Sequence, residues 1–351
     1  MNLPSLKIGD LTARIPIIQG GMGIGISMSG LAGAVAKEGG IGVISAAQPG
    51  FNESDFFTHT FDANYRVLAQ HLKKARETAR NGIIGVNIMC RGRHYEDYVK
   101  CAVKNAADII FSGAGLPMDL PGLVAGTKTK IAPIISTAKA ARVLLTLWDR
   151  HHDRTADLVV IEGPKAGGHL GYTREQVAEH ENDGYEKEIK GILDVVHTFE
   201  EKYHTKIPVV FGGGVFDKKD IEHYLSLGLS GVQMATRFVA TKECDASDAF
   251  KEMYVHAKKE DITLVNSPVH MVGRAIRNDF VKRVSAHREQ PSRCFGCLKT
   301  CNPDTTQYCI TMALINACRG DMNNALVFCG ENAYRVNKIV PVHDLMQELS
   351  L

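Results

Sequence analysis

Eight short apolar runs follow one another along the chain, and each leads into a turn or into residues with helical spacing. The runs occupy residues 15–19, 42–45, 83–88, 108–112, 130–135, 158–161, 208–211 and 231–234. They are rich in Val and Ile, which is typical of parallel strands buried on both faces. Alternation of such strands with helices predicts an α/β fold.

The number of strands distinguishes between two α/β architectures. Eight strand–helix units predict a closed (β/α)8, or TIM, barrel. A doubly wound open sheet is the alternative, and its dinucleotide fingerprint G-x-G-x-x-G would follow the first strand. Residues 20–25 contain glycines without that spacing. The sequence therefore favours the barrel.

Composition narrows the classes of function. The 351 residues are 44% hydrophobic and 23% charged, an ordinary globular composition. A formal net charge of +2 argues against nucleic acid and an anionic membrane as partners. Without an eighteen-residue apolar run or a leader-like N-terminus, we expect a cytoplasmic protein whose nine cysteines are reduced. Whether the chain forms a homo-oligomer is left open.

The turns after the predicted strands are rich in glycine. Barrel enzymes carry their catalytic and binding residues on these turns, and the turns after strands seven and eight usually bind phosphate. Here they are residues 212–214 and 234–236, whose backbone N–H groups can face an anion. The sequence thus predicts a small phosphorylated ligand, without identifying it.

One imidazole, His169, stands in the most glycine-rich of these turns. Gly163, Gly167, Gly168 and Gly171 surround it in sequence, directly after the sixth strand. Glycine permits positive φ and close approach of a ligand to the backbone. Two interpretations remain open from this turn alone: a catalytic histidine, or a tight strand-to-helix turn with a surface histidine.

Several of these stretches together resemble the nitronate monooxygenases, formerly called 2-nitropropane dioxygenases, and the related flavin-dependent enoyl-acyl-carrier-protein (ACP) reductases. The resemblance covers roughly residues 15–283. The matching motifs are residues 17–22 (IIQGGM), 85–87 (GVN), 166–171 (AGGHLG), 212–214 (GGG) and 231–238 (GVQMATRF). The family commonly has Glu before the AGGH motif, where this chain has Lys165.

The resemblance implies a barrel that binds FMN, with His169 as the catalytic imidazole beside the flavin. It implies that the cofactor is bound by Gly21, Met22, Asn87, Glu162, Gly167, Gly168, Gly213, Gly214, Gln233, Met234, Ala235 and Thr236. FMN would perform the redox chemistry, and the protein would supply position and electrostatics.

Three functions follow as hypotheses. The first is oxidation of an alkyl nitronate with O2, for which an imidazole can donate a hydrogen bond or accept a proton. The second is an NAD(P)H-dependent reductase of an enoyl-ACP thioester or a quinone. The third, a flavin or phosphate-ligand binder without catalysis, is disfavoured by a histidine in a glycine-lined pocket.

The remaining sequence predicts a division into three parts. Residues 1–240 form the FMN-binding barrel, and residues 241–330 form a smaller helical substrate domain that begins with a helical pattern over 241–260. Residues 331–351 end in a helix that packs on the barrel. By the resemblance, His270 and Arg274 are candidates for contacting substrate, or else they are solvated charges of a loop.

Cys294, Cys297, Cys301 and Cys309 are spaced as metal ligands often are. Their spacing is similar to the iron–sulfur run of dienoyl-CoA-reductase-type flavin barrels, with a shorter last interval. The alternative, which the sequence favours, is a set of thiols packing the small domain. A metal site is therefore left unknown.

Overall fold

The computed structural model describes residues 3–183 and 185–350, with no account of the side chains of residues 181–183. Its strands are β1 (Leu6–Ile8), β2 (Leu11–Ala13), β3 (Ile17–Gln19), β4 (Ile41–Ser45), β5 (Ile83–Met89), β6 (Ile109–Gly113), β7 (Lys130–Ile135), β8 (Val159–Glu162), β9 (Gly168–Leu170), β10 (Val209–Gly212), β11 (Gly231–Met234), β12 (Ile262–Ser267) and β13 (Met271–Ile276). All eight predicted strands are present, within about two residues of their predicted ends.

Eight of these strands close on themselves. The order around the ring is β3-β4-β5-β6-β7-β8-β10-β11, and β11 pairs with β3 in parallel register, Val232 opposite Ile17. The (β/α)8 barrel is therefore confirmed, and the open-sheet alternative is wrong.

Helices connect and surround the strands. They are α1 (Ser29–Lys37), α2 (Thr60–Ala79), α3 (Tyr95–Lys104), α4 (Leu120–Leu123), α5 (Ala138–His152), α6 (Arg174–Asp183), α7 (Glu186–Tyr203), α8 (Lys218–Ser226), α9 (Thr236–Val239), α10 (Asp248–Val255), α11 (Asp279–Ala286), α12 (Ile310–Arg319) and α13 (Val342–Ser350). The helical pattern over residues 241–260 was predicted too long, because only α10 forms there.

Side chains on successive strand positions fill two separate cores. Ile18 points into the barrel with Ile41, Val43 and Phe111, whereas its neighbour Ile17 packs outward against the helices. The alternation follows from the two-residue period of a strand. The interior is thus packed solid below the mouth, and open space remains only where the strands end.

Helix α1 begins with a contact that local sequence does not reveal. Its N-cap residue, Met28, provides no capping side chain. The carboxylate of Asp245 instead accepts hydrogen bonds from the N–H groups of Met28, Gly30 and Leu31 at 2.9, 3.0 and 3.1 Å. A carboxylate at a helix N-terminus satisfies unpaired donors and complements the helix dipole. The cap therefore ties the chain after the barrel to its first helix.

The chain after β11 contains strands as well as helices. β12 and β13 form an antiparallel hairpin, and β13 also pairs with β9, so a three-stranded sheet lies over the mouth of the barrel. A purely helical segment there is therefore not what the structure shows. Helix α13 buries Val342, Leu345, Met346 and Leu349 and contacts α1 and α8. The division into domains stays a prediction.

Among the described residues, no helix combines the length and the apolar character needed to cross a bilayer. The cytoplasmic location stays a prediction.

Candidate active site

A cavity of about 430 Å³ opens at the carboxyl ends of the barrel strands. Its floor consists of the glycine-rich turns after β3, β8 and β10 and of the turn after β11, with Asn87 of β5 between them. Met271, Leu314 and Phe328, which come from beyond the barrel, contribute to its wall. Enzymes with this fold bind their substrates at this end of the barrel.

Every residue proposed from the sequence as catalytic or cofactor-binding lies in the lining of this cavity. These are His169 and the set Gly21, Met22, Asn87, Glu162, Gly167, Gly168, Gly213, Gly214, Gln233, Met234, Ala235 and Thr236. The structure therefore brings them together. Their individual roles toward a cofactor remain predictions.

Two glycines of the lining allow a close approach between segments. A Cβ added at Gly21 would lie 2.3 Å from Cβ of Asn87, and one at Gly167 would lie 2.5 Å from the carbonyl carbon of Cys329. Real Cβ atoms do not approach other atoms this closely, so any larger residue would displace a neighbour. Backbone groups consequently form this part of the floor.

The turns after β10 and β11 present unpaired donors. Gly213 and Gly214 have φ of +126° and +85°, and in the described chain their N–H groups and that of Ala235 have no hydrogen-bond partner. The side-chain amide of Asn332 donates to the carbonyl of Gly214 at 2.6 Å, which fixes the turn. Converging backbone N–H groups bind anions such as phosphate.

Lys165 adds positive charge near the same turn. Its Cβ would be 3.0 Å from a Cβ at Gly214, and its ammonium lies 4.0 Å from the carboxylate of Glu331. A residue that departs from the common Glu of the resembling family therefore borders the region suited to an anion.

His169 is placed by strand pairing. It lies on β9 opposite Gly273 of β13, and its Nε2 is 2.7 Å from Oγ of Ser267 on β12. The ring of Phe328 meets the imidazole edge to face at 4.9 Å. Burial, with a smaller effect from the charge of Arg91, lowers the pKa of His169 to about 4. The imidazole is thus neutral at physiological pH.

Glu162 ends β8 and faces the same cavity. Burial raises its pKa to about 7, although the N–H of Gly171 at 3.1 Å and the hydroxyl of Ser136 oppose this by stabilising the carboxylate. A carboxyl group in this range can hold or release a proton near neutral pH.

The structure places His270 and Arg274, the two candidates for contact with substrate, outside the lining of the cavity. Arg274 is buried, and its guanidinium donates to the carbonyls of Pro164 and Ala166 at 2.8 and 2.6 Å. His270 is exposed in the β12–β13 turn. Neither lines the cavity. Arg274 instead holds the loop that precedes His169.

Sequence reasoning missed the side chains that cover the cavity. Ser267 contacts His169 because β9, β12 and β13 form one sheet, and Phe328 lies beside it through a bridge to Ala275 of β13. No sequence motif identifies Ser267 or Phe328 as part of the site. Ser267 lies in a stretch typical of a turn, so the apolar character of β13 was the available signal for this sheet.

Cys294, Cys297, Cys301 and Cys309 are not part of the cavity lining. In the part of the chain that the structure describes, no three His, Cys, Asp or Glu side chains are gathered as a single metal ion requires. The four cysteines are free thiols, with Cys294 exposed and the others partly buried.

The sequence model of the nitronate monooxygenase family matches residues 5–351. The chain belongs to this family. It is therefore a flavin oxidoreductase of the nitronate monooxygenase family, in agreement with the resemblance of its motifs.

Individual relatives of this family member are distant. A probable nitronate monooxygenase of Staphylococcus saprophyticus is 24% identical over 313 residues, 83% of each chain. FabK from Thermotoga maritima superimposes with a TM-score of 0.74 at 23% identity, over 95% of this chain and 91% of that one. A nitroalkane oxidase from Streptomyces ansochromogenes gives 0.72 at 18% identity, over 95% and 94%. At these identities the solved structures establish the shared fold alone.

Proposed function

We propose that this protein binds FMN in the barrel cavity and oxidises alkyl nitronates with molecular oxygen. The observation that carries the proposal is the imidazole of His169, hydrogen-bonded to Ser267, in the wall of a glycine-floored cavity. Family membership supports the binding of a flavin. The unpaired N–H groups beside β10 and β11 support the binding of its phosphate group.

The residues present fit FMN. The N–H groups of Gly213, Gly214 and Ala235 would hold the phosphate, and a flat ring would lie on the floor where Gly21 packs closely against Asn87. The side-chain amide of Asn87 has no hydrogen-bond partner among the described residues and would be available to that ring. When bound, FMN supplies the exchange of electrons between substrate and oxygen.

His169 suits a nitronate because this substrate is already deprotonated at carbon. It needs a neutral hydrogen-bond donor for its nitro oxygens and does not need a strong base. When the hydroxyl of Ser267 donates to Nε2, the proton of the neutral ring is on Nδ1 and can be donated to the substrate. Met271, Leu314 and Phe328 would cover an alkyl chain and exclude water.

Glu162 favours a second candidate function. Reduction of an enoyl thioester by hydride from NAD(P)H also requires a proton for the second carbon, and reduction of a quinone requires protons for its oxygens. A carboxyl group with a pKa of about 7 in the cavity wall can supply one. The fold shared with FabK is consistent with this alternative.

Two assays separate the candidates. Oxygen uptake by the FMN-loaded protein on addition of an alkyl nitronate supports the first. Rapid bleaching of the flavin by NADH or NADPH without oxygen, together with no oxygen uptake from the nitronate, would replace it with the second.

Substitution of the imidazole tests the residue. H169A should retain FMN but turn over nitronate about 100-fold more slowly, the usual range for a lost proton or hydrogen-bond donor. H256A removes an exposed histidine at the end of α10 and should match the unsubstituted protein. Equal turnover by H169A and H256A would remove His169 from the mechanism.

A further inference from the structure

We propose that the guanidinium of Arg91 makes the cavity selective for a substrate that carries a negative charge. This role rests on the proposed function, because a nitronate is an anion whereas the nitroalkane from which it forms is neutral. Arg91 lies in the turn after β5, two residues beyond Met89, which lines the cavity. Arg91 itself is outside the lining, so it acts at the rim through its charge.

A hydrogen bond to the β12–β13 hairpin fixes this guanidinium. Nη1 of Arg91 donates to the carbonyl of Val269 at 2.7 Å, and the N–H of Val269 donates to Oγ of Ser267 at 3.4 Å. The same Oγ lies 2.7 Å from Nε2 of His169. A chain of three hydrogen bonds therefore connects the guanidinium with the imidazole. In agreement with this, burial and then the nearby charge of Arg91 lower the pKa of His169 to about 4.

The charge of Arg91 is not balanced by a carboxylate of the described chain. Within residues 3–183 and 185–350, its guanidinium has the carbonyl of Val269 as its hydrogen-bond partner and forms no ion pair. The residue is partly buried between the turn after β5 and the hairpin. A cation that is partly removed from water is stabilised by an opposite charge. An anionic substrate would supply that charge.

The other charged groups of the cavity do not take this role. Among the described residues of the lining, Lys165 is the one lysine or arginine, and it packs against Gly214 in the turn proposed to hold the phosphate. The imidazole of His169 is neutral at physiological pH, and Glu162 is negative when it ionises. Arg91 is therefore the cation that attracts an anion toward the imidazole.

Oxygen uptake by the FMN-loaded protein tests the selectivity. R91Q removes the charge and keeps a shorter hydrogen-bond donor. Its KM for an alkyl nitronate should rise about tenfold with little change in kcat, because a charge at the rim acts on binding and not on the reacting atoms. The inhibition constant of the neutral nitroalkane should not change. If that constant rose as much as KM, the hairpin would be disturbed in general and the role of Arg91 would be overturned.

Two variants and one condition serve as controls. R91K keeps the positive charge and should have a KM close to that of the unsubstituted protein. R93Q removes an exposed arginine two residues further along the same turn and should also leave KM nearly unchanged. In the unsubstituted protein KM for the nitronate should rise with ionic strength, because salt screens the attraction. This last measurement needs no variant, and a KM that did not depend on salt would count against Arg91.

Binding of nitrate, a small planar anion, can be measured by calorimetry without turnover. Weaker nitrate binding by R91Q, together with no nitronate oxidation by either protein, would support the role of Arg91 and refute the proposed function. Equal KM and equal nitrate affinity in R91Q and the unsubstituted protein would overturn the role of Arg91 and leave the proposed function intact. An unsubstituted protein that neither binds nitrate nor oxidises nitronate would overturn both.

Discussion

The barrel and the chain that covers its mouth contribute different things to the cavity. The barrel supplies mainly the backbone of glycine-rich turns, in which the N–H groups of Gly213 and Gly214 are unpaired among the described residues. The cover supplies side chains, among them Ser267, Met271 and Phe328. We therefore expect cofactor binding to depend on backbone geometry in the barrel, and contacts with the substrate to depend on the β12–β13 hairpin and α12. Changes in the two regions should therefore have separable effects.

The largest expected effect is at the joint between the two regions. R274M removes the guanidinium that β13 directs to the carbonyls of Pro164 and Ala166, and leaves both buried carbonyls unpaired. We expect the free energy of unfolding to fall by about 4 kcal/mol. R277M, three residues away and exposed, should change it by less than about 0.5 kcal/mol. Denaturant unfolding measures both, and similar losses would mean that Arg274 does not join the regions.

Glu162 gives the next largest effect, through pH. Its pKa is about 7 in the folded protein against an ordinary value of 4.5, so the folded state binds more protons between these values. Stability should therefore fall as pH rises through this window. E162Q removes the ionisation and should be more stable than the FMN-free parent by about 3 kcal/mol above pH 7.

The same titration has an internal control. Below about pH 4.5 the E162Q variant and the parent should converge, since the carboxyl group is protonated in both the folded and the unfolded parent. His169 acts in the opposite direction, because its pKa in the folded protein is lowered to about 4 from an ordinary 6.5. Its effect is that stability rises with pH between these two values. An advantage of E162Q that did not depend on pH would contradict the assigned ionisation.

The smallest effect concerns the backbone of the barrel alone. G213A puts a Cβ at φ +126°, 3.0 Å from the carbonyl oxygen of Gly163, and should turn the N–H away from the anion. We expect FMN to bind about 30-fold more weakly, roughly 2 kcal/mol. G228A has comparable strain at φ +90° outside the cavity and should bind FMN normally. Fluorescence titration measures the affinity of both variants for FMN. Equal affinities would contradict a role for the N–H of Gly213 in binding the phosphate.

The two regions also differ in how well sequence predicted them. The barrel strands could be predicted because burial on both faces requires continuous runs such as Val159–Glu162. The hairpin was missed for two reasons. Strand β12 is only half-buried, and it ends in Asn266 and Ser267, residue types that are common in turns. Its partner β9 lies about a hundred residues earlier, and pairing at that distance leaves no local signal.

The residues of the candidate site also divide into those that the sequence predicted and those that it did not. Glycines at 167, 168, 213 and 214 were identified because a turn that needs positive φ or close approach restricts the residue type. The hydrogen bond between His169 and Ser267 could not be predicted, since it depends on the pairing register of β9, β12 and β13. The position of Arg274 could not be predicted for a related reason, because charge alone does not distinguish a buried arginine that holds a loop from one that contacts substrate.

The most direct test of the account is a titration of the FMN-free protein with FMN and with riboflavin, which lacks the phosphate. If the turns after β10 and β11 hold a phosphate through the N–H groups of Gly213, Gly214 and Ala235, FMN should bind at one per chain. Riboflavin should then bind at least about 100-fold more weakly. Equal affinity for the two flavins, or no binding of FMN, would contradict the proposal that the barrel backbone binds the cofactor.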